Sequence, residues 1–288
     1  MCIRDRQGRP QVDYTVNPAL GIPEITGHEG STEPVANAIP AWDMIAGNMC
    51  VSSLLAAERY RLRHGVGQDV EIALKDVAAA AIGHLGMIAD STLNTDDRSK
   101  AGNALYGAYG KDFLCADGNR VMIIGLTSRQ WSGILKATDT TEQFRNLENE
   151  KNINLKDEAI RWKWRHEITA ILEPWFKSRA VEDFARDFDN TGLTWSVFRS
   201  VKEALEFDPD LSEENPLFKK IQQPDAGEFL VPTHPANFSK VDKTEAKGAP
   251  SLGEHTEEIL GDILHLPDIE ISNLFDKGVV ASPSYNKN

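Results

Sequence analysis

Apolar positions along this chain gather into a few helix-length runs, separated by polar stretches rich in Gly and Pro. The first run, "AWDMIAGNMCVSSLLAAERYRLRHG", predicts a helix over about 43–64. Its end is marked twice. Arg59, Arg61, Arg63 and His64 crowd the last turns, where cations suit the helix dipole, and Gly65 stands where a left-handed residue closes a helix. The preceding residues 10–42 show no sustained period and read as loop with short extended pieces. Beyond the helix, "QDVEIAL" at 68–74 alternates as a strand does, and Asp76 opens an Ala-rich second helix running to about 93. The apolar stretches 44–57 and 77–89 fall short of the ~20 residues that cross a bilayer, so both predict buried core helices.

Polar "NTDDRSKAGN" at 94–103 reads as a boundary, and "GNALYGAYG" at 102–110 as a glycine-punctuated loop. "KDFLCA" and "RVMIIGLT", joined by "DGN", predict a β-hairpin. Helices are predicted at 128–137, 157–177, 180–189 and 200–206. Proline-rich 207–253 reads as an extended connector over a surface; helices near 255–264 and 268–276 follow, with a polar tail from 282.

Composition narrows the class. With 41% hydrophobic and 26% charged residues over 288 positions, the chain has average globular usage, which excludes wholesale disorder and allows one large domain or two smaller ones. A formal net charge of −13 repels polyanions at long range, so no nucleic-acid partner is expected, whereas a small anionic ligand needs only a few local donors. Cys2, Cys50 and Cys115 are too few and scattered for a disulfide framework or zinc site, and fit a reducing, cytoplasmic compartment. "MCIRDRQGRP" lacks the apolar stretch of a secretory signal, and no membrane association is expected. The histidines show no metal-ligand spacing, so no metal is expected.

Asp43 is the first candidate for chemistry, because it stands alone at the mouth of the first long apolar run. Position alone favours a helix N-cap, with Trp42 stapled onto the following turn. The same place also suits a nucleophile: a carboxylate there stays ionised and exposed, backbone N–H groups lie ready for an oxyanion, and small Ala46 and Gly47 admit a bulky ligand. Gly102, Gly107 and Gly110 match neither phosphate-loop pattern, which leaves a mobile or closely approached loop, with Tyr106 and Tyr109 in packing roles. "RWKWRHE" at 161–167 has an aromatic-basic look. At helical spacing, however, Trp164, Ile168, Ile171, Leu172 and Trp175 share one face, so core packing is the expectation. His255 reads as a helix cap.

In order and spacing, "WDMIAG", "LLAAERYRLRHGVGQDVEIALKDV", "NPLF…QP…G" and "PSLGEHTEEIL" resemble the family III (CaiB/BaiF-type) CoA-transferases, from about residue 7 to 281. "VDYTVNPALGIP", "IPAWD", "IGHLGMIAD", "GNALYGAYGKDF" and "LTSRQW" look like the branch that moves CoA between the two carboxyls of mesaconyl-CoA (2-methylfumaryl-CoA). The resemblance implies an α/β fold: a large Rossmann-like domain plus a smaller α+β domain, in an intertwined homodimer. It divides this chain into 7–97 of the large domain, 98–206 as the small domain, and 207–288 as connector and return to the large one. The family's catalytic aspartate falls on Asp43, which would attack an acyl-CoA thioester to give a mixed anhydride and free CoA thiolate. Asp13, Gly102, Asn103, Tyr106 and Gly107 fall where relatives line the substrate. The implied partner is the CoA thioester of a small dicarboxylic acid, with no cofactor beyond the CoA of that substrate. The implied reaction is intramolecular transfer between C1 and C4; the alternatives are transfer to a separate free acid and an inactive remnant. The α-methylacyl-CoA racemases, also similar, carry a His-Asp pair where this chain has Val12 and Asp13, which disfavours two-base proton exchange. The opening βαβ-type segment of relatives has no counterpart here and "MCIRD" matches nothing, so the chain reads as N-terminally truncated.

Overall fold

The computed structural model describes residues 10–224 and 226–283. Cys2, residues 7–9 of the expected large domain and most of the polar tail lie outside the described residues. The chain divides into two compact units, Met1–Phe198 and Arg199–Asn288.

The first unit opens with helices rather than the expected loop: α1 (Asp13–Ala19) and α2 (Ile22–Ile25). The periodicity of α1 is easy to miss, because its inward face alternates polar and apolar side chains, with Asp13, Val16 and Asn17 all buried. Helix α3 (Ala41–His64) runs close to its predicted span and ends on Gly65 at φ +72°. The strand expected at 68–74 does not form. Among the described residues 10–108 no strand exists to pair with it, and an unpaired segment leaves its ladder groups unsatisfied. The second predicted helix is broken into α4 (Leu74–His84) and α5 (Met87–Leu93) by Gly86, whose φ of +76° a side-chain-bearing residue adopts only with strain. Val16, Trp42, Leu74 and Ala78 form a small core where α1, α3 and α4 meet.

The expectation that 44–57 is a buried helix is also overturned. Only Trp42 of α3 is buried, and Met44, Val51, Leu54, Leu55 and Leu62 are exposed. Apolar residues lie all around the α3 cylinder, whereas the described part of the chain covers only its first turns.

A larger core belongs to the second half of this unit. Strands β1 (Tyr109–Leu114) and β2 (Arg120–Gly125) form the predicted hairpin, in register from Tyr109↔Gly125 to Leu114↔Arg120, and β3 (Thr194–Val197) adds antiparallel to β2. Helices α6 (Ser128–Ala137), α7 (Thr141–Lys151), α8 (Glu158–Lys163), α9 (Arg165–Lys177) and α10 (Ala185–Thr191) surround this sheet. Ile168 and Leu172 are fully buried, with Trp164, Ile171 and Trp175 packed around them, so the apolar face read from 164–175 is a core face. The single helix predicted over 157–177 is two, because Trp164 leaves helical geometry (φ −102°, ψ 23°) and serves α8 as C-cap and α9 as N-cap. Helix α7 and strand β3 escape the sequence reading. One buries only Phe144 and Leu147 in a polar stretch, and the other is four residues long.

In the second unit, α11 (Val201–Phe207) starts on a reciprocal Ser200–Glu203 cap. The expected connector contains a hairpin, β4 (Phe218–Gln223) with β5 (Gly227–Pro232). Helix α12 (Thr256–Glu258) continues into a π turn at Ile259–Ile263, and α13 (Asp268–Asp276) follows. His255 occupies the N-cap position of α12 but makes no side-chain capping bond. Gly253 of "PSLGEHTEEIL" sits at φ +79°, and a Cβ there would lie 2.5 Å from the Ala281 carbonyl oxygen, so the motif needs glycine for close backbone approach.

Candidate active site at the start of helix α3

Helix α3 begins on Pro40, which has no side chain able to accept the first N–H groups. The acceptor comes from α1 instead. Asp13 Oδ2 accepts from the Trp42 N–H at 2.7 Å and the Asp43 N–H at 3.2 Å, the two donors that a local N-cap side chain would satisfy. One turn further along α1, Asn17 Oδ1 accepts from the Trp42 indole Nε1–H at 3.2 Å and from Asn37 Nδ2–H at 3.4 Å. Asp13 is 2% exposed and Asn17 1%. Trp42, itself buried, is therefore held by its backbone and its ring from the same face of α1.

This geometry corrects the sequence reading of Asp43 in three ways. Asp43 is the third residue of the helix, not its cap. The N–H groups expected to await an oxyanion are occupied: Trp42 and Asp43 donate to Asp13, Ala41 to the Ile39 carbonyl and Met44 to the Pro40 carbonyl. Trp42 shares a core with α1 and α4 as well as with Ala46 on its own following turn, so it does more than staple its helix. The Asp43 side chain is exposed, and among the described residues its carboxylate takes part in no hydrogen bond or ion pair that would tie it down. The helix dipole favours its negative charge. Val12, in the position where the racemases carry histidine, is 59% exposed and offers no base.

The other candidate residues form a separate cluster. In the loop leading to β1, Gly102 N–H donates to the Gly27 carbonyl at 2.9 Å and Leu105 N–H to the Gly110 carbonyl at 3.0 Å. The Tyr106 ring packs on Trp162 at 5.0 Å between centroids and carries the Arg98 guanidinium 3.4 Å above its centre. Arg165 covers Trp162 in turn and pairs with Glu29 at 2.6 Å. Asp112 on β1 meets Arg120 and, at 3.1 Å, Lys111, and the Asn103 amide hydrogen-bonds it. Burial acts to raise the Asp112 pKa, but these partners outweigh it and hold the carboxyl below its usual range. Tyr109 is fully buried with its hydroxyl 3.1 Å from Thr169 Oγ1, and burial pushes its pKa up, so it is a packing residue as expected.

Asp13 and Asp43 are thus brought together. Gly102, Asn103, Tyr106 and Gly107 share a second locus, and among the described residues no hydrogen bond or ring contact joins it to Asp43. Two cavities adjoin the loop locus and the α2 and α5 helices. One of about 400 Å³ has Leu20, Ile22, Ile25 and Met87 in its wall, and one of about 380 Å³ reaches Tyr106 and Trp162; Asp90, Asp97 and Arg98 border both. Leu20 and Ile22 of the first cavity also pack on the Trp42 core, but neither Asp13 nor Asp43 lines either cavity. Sequence reasoning missed Asn17 and Arg98. The i, i+4 pair of Asp13 and Asn17 was the available signal for the first, and Arg98, in a polar run, offered none.

Among the described residues, no group of three His, Cys, Asp or Glu side chains converges as a metal site, and no helix is long and apolar enough to cross a membrane. Comparison with known proteins gives consistent matches. The model of CoA-transferase family III matches residues 5–256. The 2-methylfumaryl-CoA isomerase of Chloroflexus aurantiacus is 47% identical over 278 residues, covering 96% of this chain and 68% of that protein. Human succinyl-CoA:glutarate CoA-transferase is 24% identical, covering 94% of this chain and 60% of that one. The crystal structure of a CAIB/BAIF family protein from Brucella suis superposes with a TM-score of 0.66 at 20% identity, over 88% of this chain and 63% of the other.

Proposed function

The chain belongs to CoA-transferase family III, and on that premise we propose that it moves coenzyme A between the C1 and C4 carboxyls of 2-methylfumaryl-CoA, with Asp43 as the nucleophile. The observation that carries the reading is the Asp43 carboxylate itself: exposed, unengaged, and standing on a helical turn locked from α1.

In this mechanism an Asp43 oxygen attacks the thioester carbonyl. The C–S bond breaks and leaves a mixed anhydride and CoA thiolate. The thiolate then attacks the aspartyl carbonyl, giving an aspartyl thioester and free 2-methylfumarate. The other carboxylate of that acid attacks the aspartyl thioester, which expels the thiolate and leaves a second mixed anhydride; the thiolate then attacks the new acyl carbonyl and releases Asp43 as carboxylate. Thiolate and dicarboxylate are each released and reused within the cycle, the acid presenting its C4 rather than its released C1 carboxylate in the third step, so CoA is required only as part of the substrate. Retention of acid and thiolate in one site gives the later steps an effective concentration that free solution lacks. The hollow bordered by Arg98 and Tyr106 supports a role for that loop in such retention, and the uncovered apolar side chains of α3 support the homodimer implied by the resemblance.

Incubation of the complete protein with C1-linked 2-methylfumaryl-CoA alone tests the reading. The expected result is the C4-linked thioester without added acid. Asp43→Asn and Asp43→Ala are expected to lose activity by on the order of a thousandfold or more while unfolding as the wild type does. Full activity in either variant refutes the nucleophile. The name of the human relative favours one second reading, intermolecular transfer, and an absolute requirement for added dicarboxylate supports it instead.

A further inference from the structure

We infer that Asp13 and Asn17 are positioning residues that fix the direction of Asp43 through its backbone and through Trp42, and that Asp13 does not contact substrate. This rests on the reading of Asp43 as nucleophile.

Five observations carry it. Helix α3 has no local cap, because Pro40 offers no side-chain acceptor, so the placement of its first turn is set by whatever satisfies the N–H groups of residues 42 and 43. One oxygen of Asp13 does so for both, from 29 and 30 residues away in sequence, which ties Asp43 to α1 rather than to its own helix alone. Asn17, four residues on and so on the same face of α1, pins the Trp42 indole, which restrains rotation of the turn about the Asp13 contact. At 2% exposure the Asp13 carboxylate lies beneath the turn, whereas Asp43 faces outward from it. Its second oxygen, Oδ1, is buried without a hydrogen-bond partner among the described residues. Leaving that atom unpaired costs stability, which is retained only where the other oxygen has work to do.

A carboxylate suits this role for two reasons. Its bonds to backbone N–H are charge-assisted, and its charge complements the helix N-terminus. An ill-fixed nucleophile loses the near-attack geometry on which reaction within the bound pair depends, and a displacement of about 1 Å costs on the order of a hundredfold in rate.

The test compares Asp13→Ala, Asp13→Asn and Asn17→Ala in the complete protein, with Asp43→Ala alongside. The readouts are kcat and KM with C1-linked 2-methylfumaryl-CoA, and hydrogen exchange of the Trp42 and Asp43 amides without substrate. Asp13→Ala is expected to lower kcat by roughly 10- to 100-fold with KM changed less than about threefold, and to speed exchange at both amides. Asp13→Asn keeps an acceptor oxygen and should recover kcat to within about fivefold of wild type. Asn17→Ala, which leaves Asp13 in place, should lower kcat by about tenfold with KM unchanged, and it supplies the answer if Asp13→Ala does not fold. Wild-type kcat in Asp13→Ala or Asn17→Ala overturns the inference. So does an Asp13→Asn variant as slow as Asp13→Ala with a raised KM, because that result assigns the Asp13 charge to substrate. An inactive Asp43→Ala beside a fully active Asp13→Ala leaves the nucleophile standing and removes only the positioning role. An active Asp43→Ala removes both.

Discussion

Arg161 lies within the aromatic-basic stretch "RWKWRHE", yet it is 1% exposed, and its replacement should be among the most damaging single changes in this chain. Its Nε donates to the Gly125 carbonyl at 3.1 Å, Nη1 to Leu155 and Lys156 at 2.7 and 2.9 Å, and Nη2 to Leu126 at 2.7 Å. The guanidinium thereby ties the end of β2 to the turn before α8, with Trp131 5.6 Å away. Burial lowers its pKa, and the more distant Glu158 and Asp157 act against that. Four hydrogen bonds from a charged donor at about 1.5–3 kcal/mol each sum to roughly 6–12 kcal/mol. The guanidinium's own desolvation, several kcal/mol, is recovered when it is removed, while the orphaned carbonyls and the space left are not. The expected net loss for Arg161→Met is about 3–5 kcal/mol, equivalent to a fall in midpoint on the order of 10 °C for a unit of this size. Arg161→Lys should fall between, because one ammonium group on a flexible stem cannot span four carbonyls on two segments. Urea titration followed by tryptophan fluorescence reads both variants against wild type. A loss below about 1 kcal/mol in Arg161→Met would refute the premise that the carbonyls depend on this one side chain.

Two further outcomes follow from charge and burial. Asp112 has a lowered folded-state pKa, so it adds stability above the unfolded value that is lost as pH falls through the folded one. The stability gap between wild type and Asp112→Asn, expected at roughly 1–3 kcal/mol near pH 7, should therefore narrow below about pH 4; equal gaps in urea midpoints at pH 7 and pH 3 contradict this. Cys115 is buried, and burial followed by the Asp117 charge pushes its pKa to about 11, whereas Cys50 is exposed on α3. Iodoacetamide at pH 8 should reach Cys115 only in denaturant, with peptide mapping by mass spectrometry as the readout.

Local chemistry made much of this molecule legible without coordinates. The limits of α3, the β1–β2 hairpin, the span of α6 and the core face of 164–175 follow from caps, turn residues and period, which act over a few neighbouring positions. Asp43 was legible as a candidate for the same reason, since an acid opening a long apolar run is visible in a line of text. What the tertiary structure alone decided concerns polar groups satisfied at a distance. Only the folded chain brings Asp13 and Asn17 under Trp42, occupies the N–H groups that the sequence left open for an oxyanion, and buries Arg161 among carbonyls from two segments. It also decided burial against composition, because "QDVEIAL" has a strand's alternation without a strand to join, and α3 has a core helix's residues with only its first turns covered. Periodicity states which face an element prefers to bury; whether anything meets that face, and whose hydrogen bonds end there, depends on neighbours that the linear pattern does not specify.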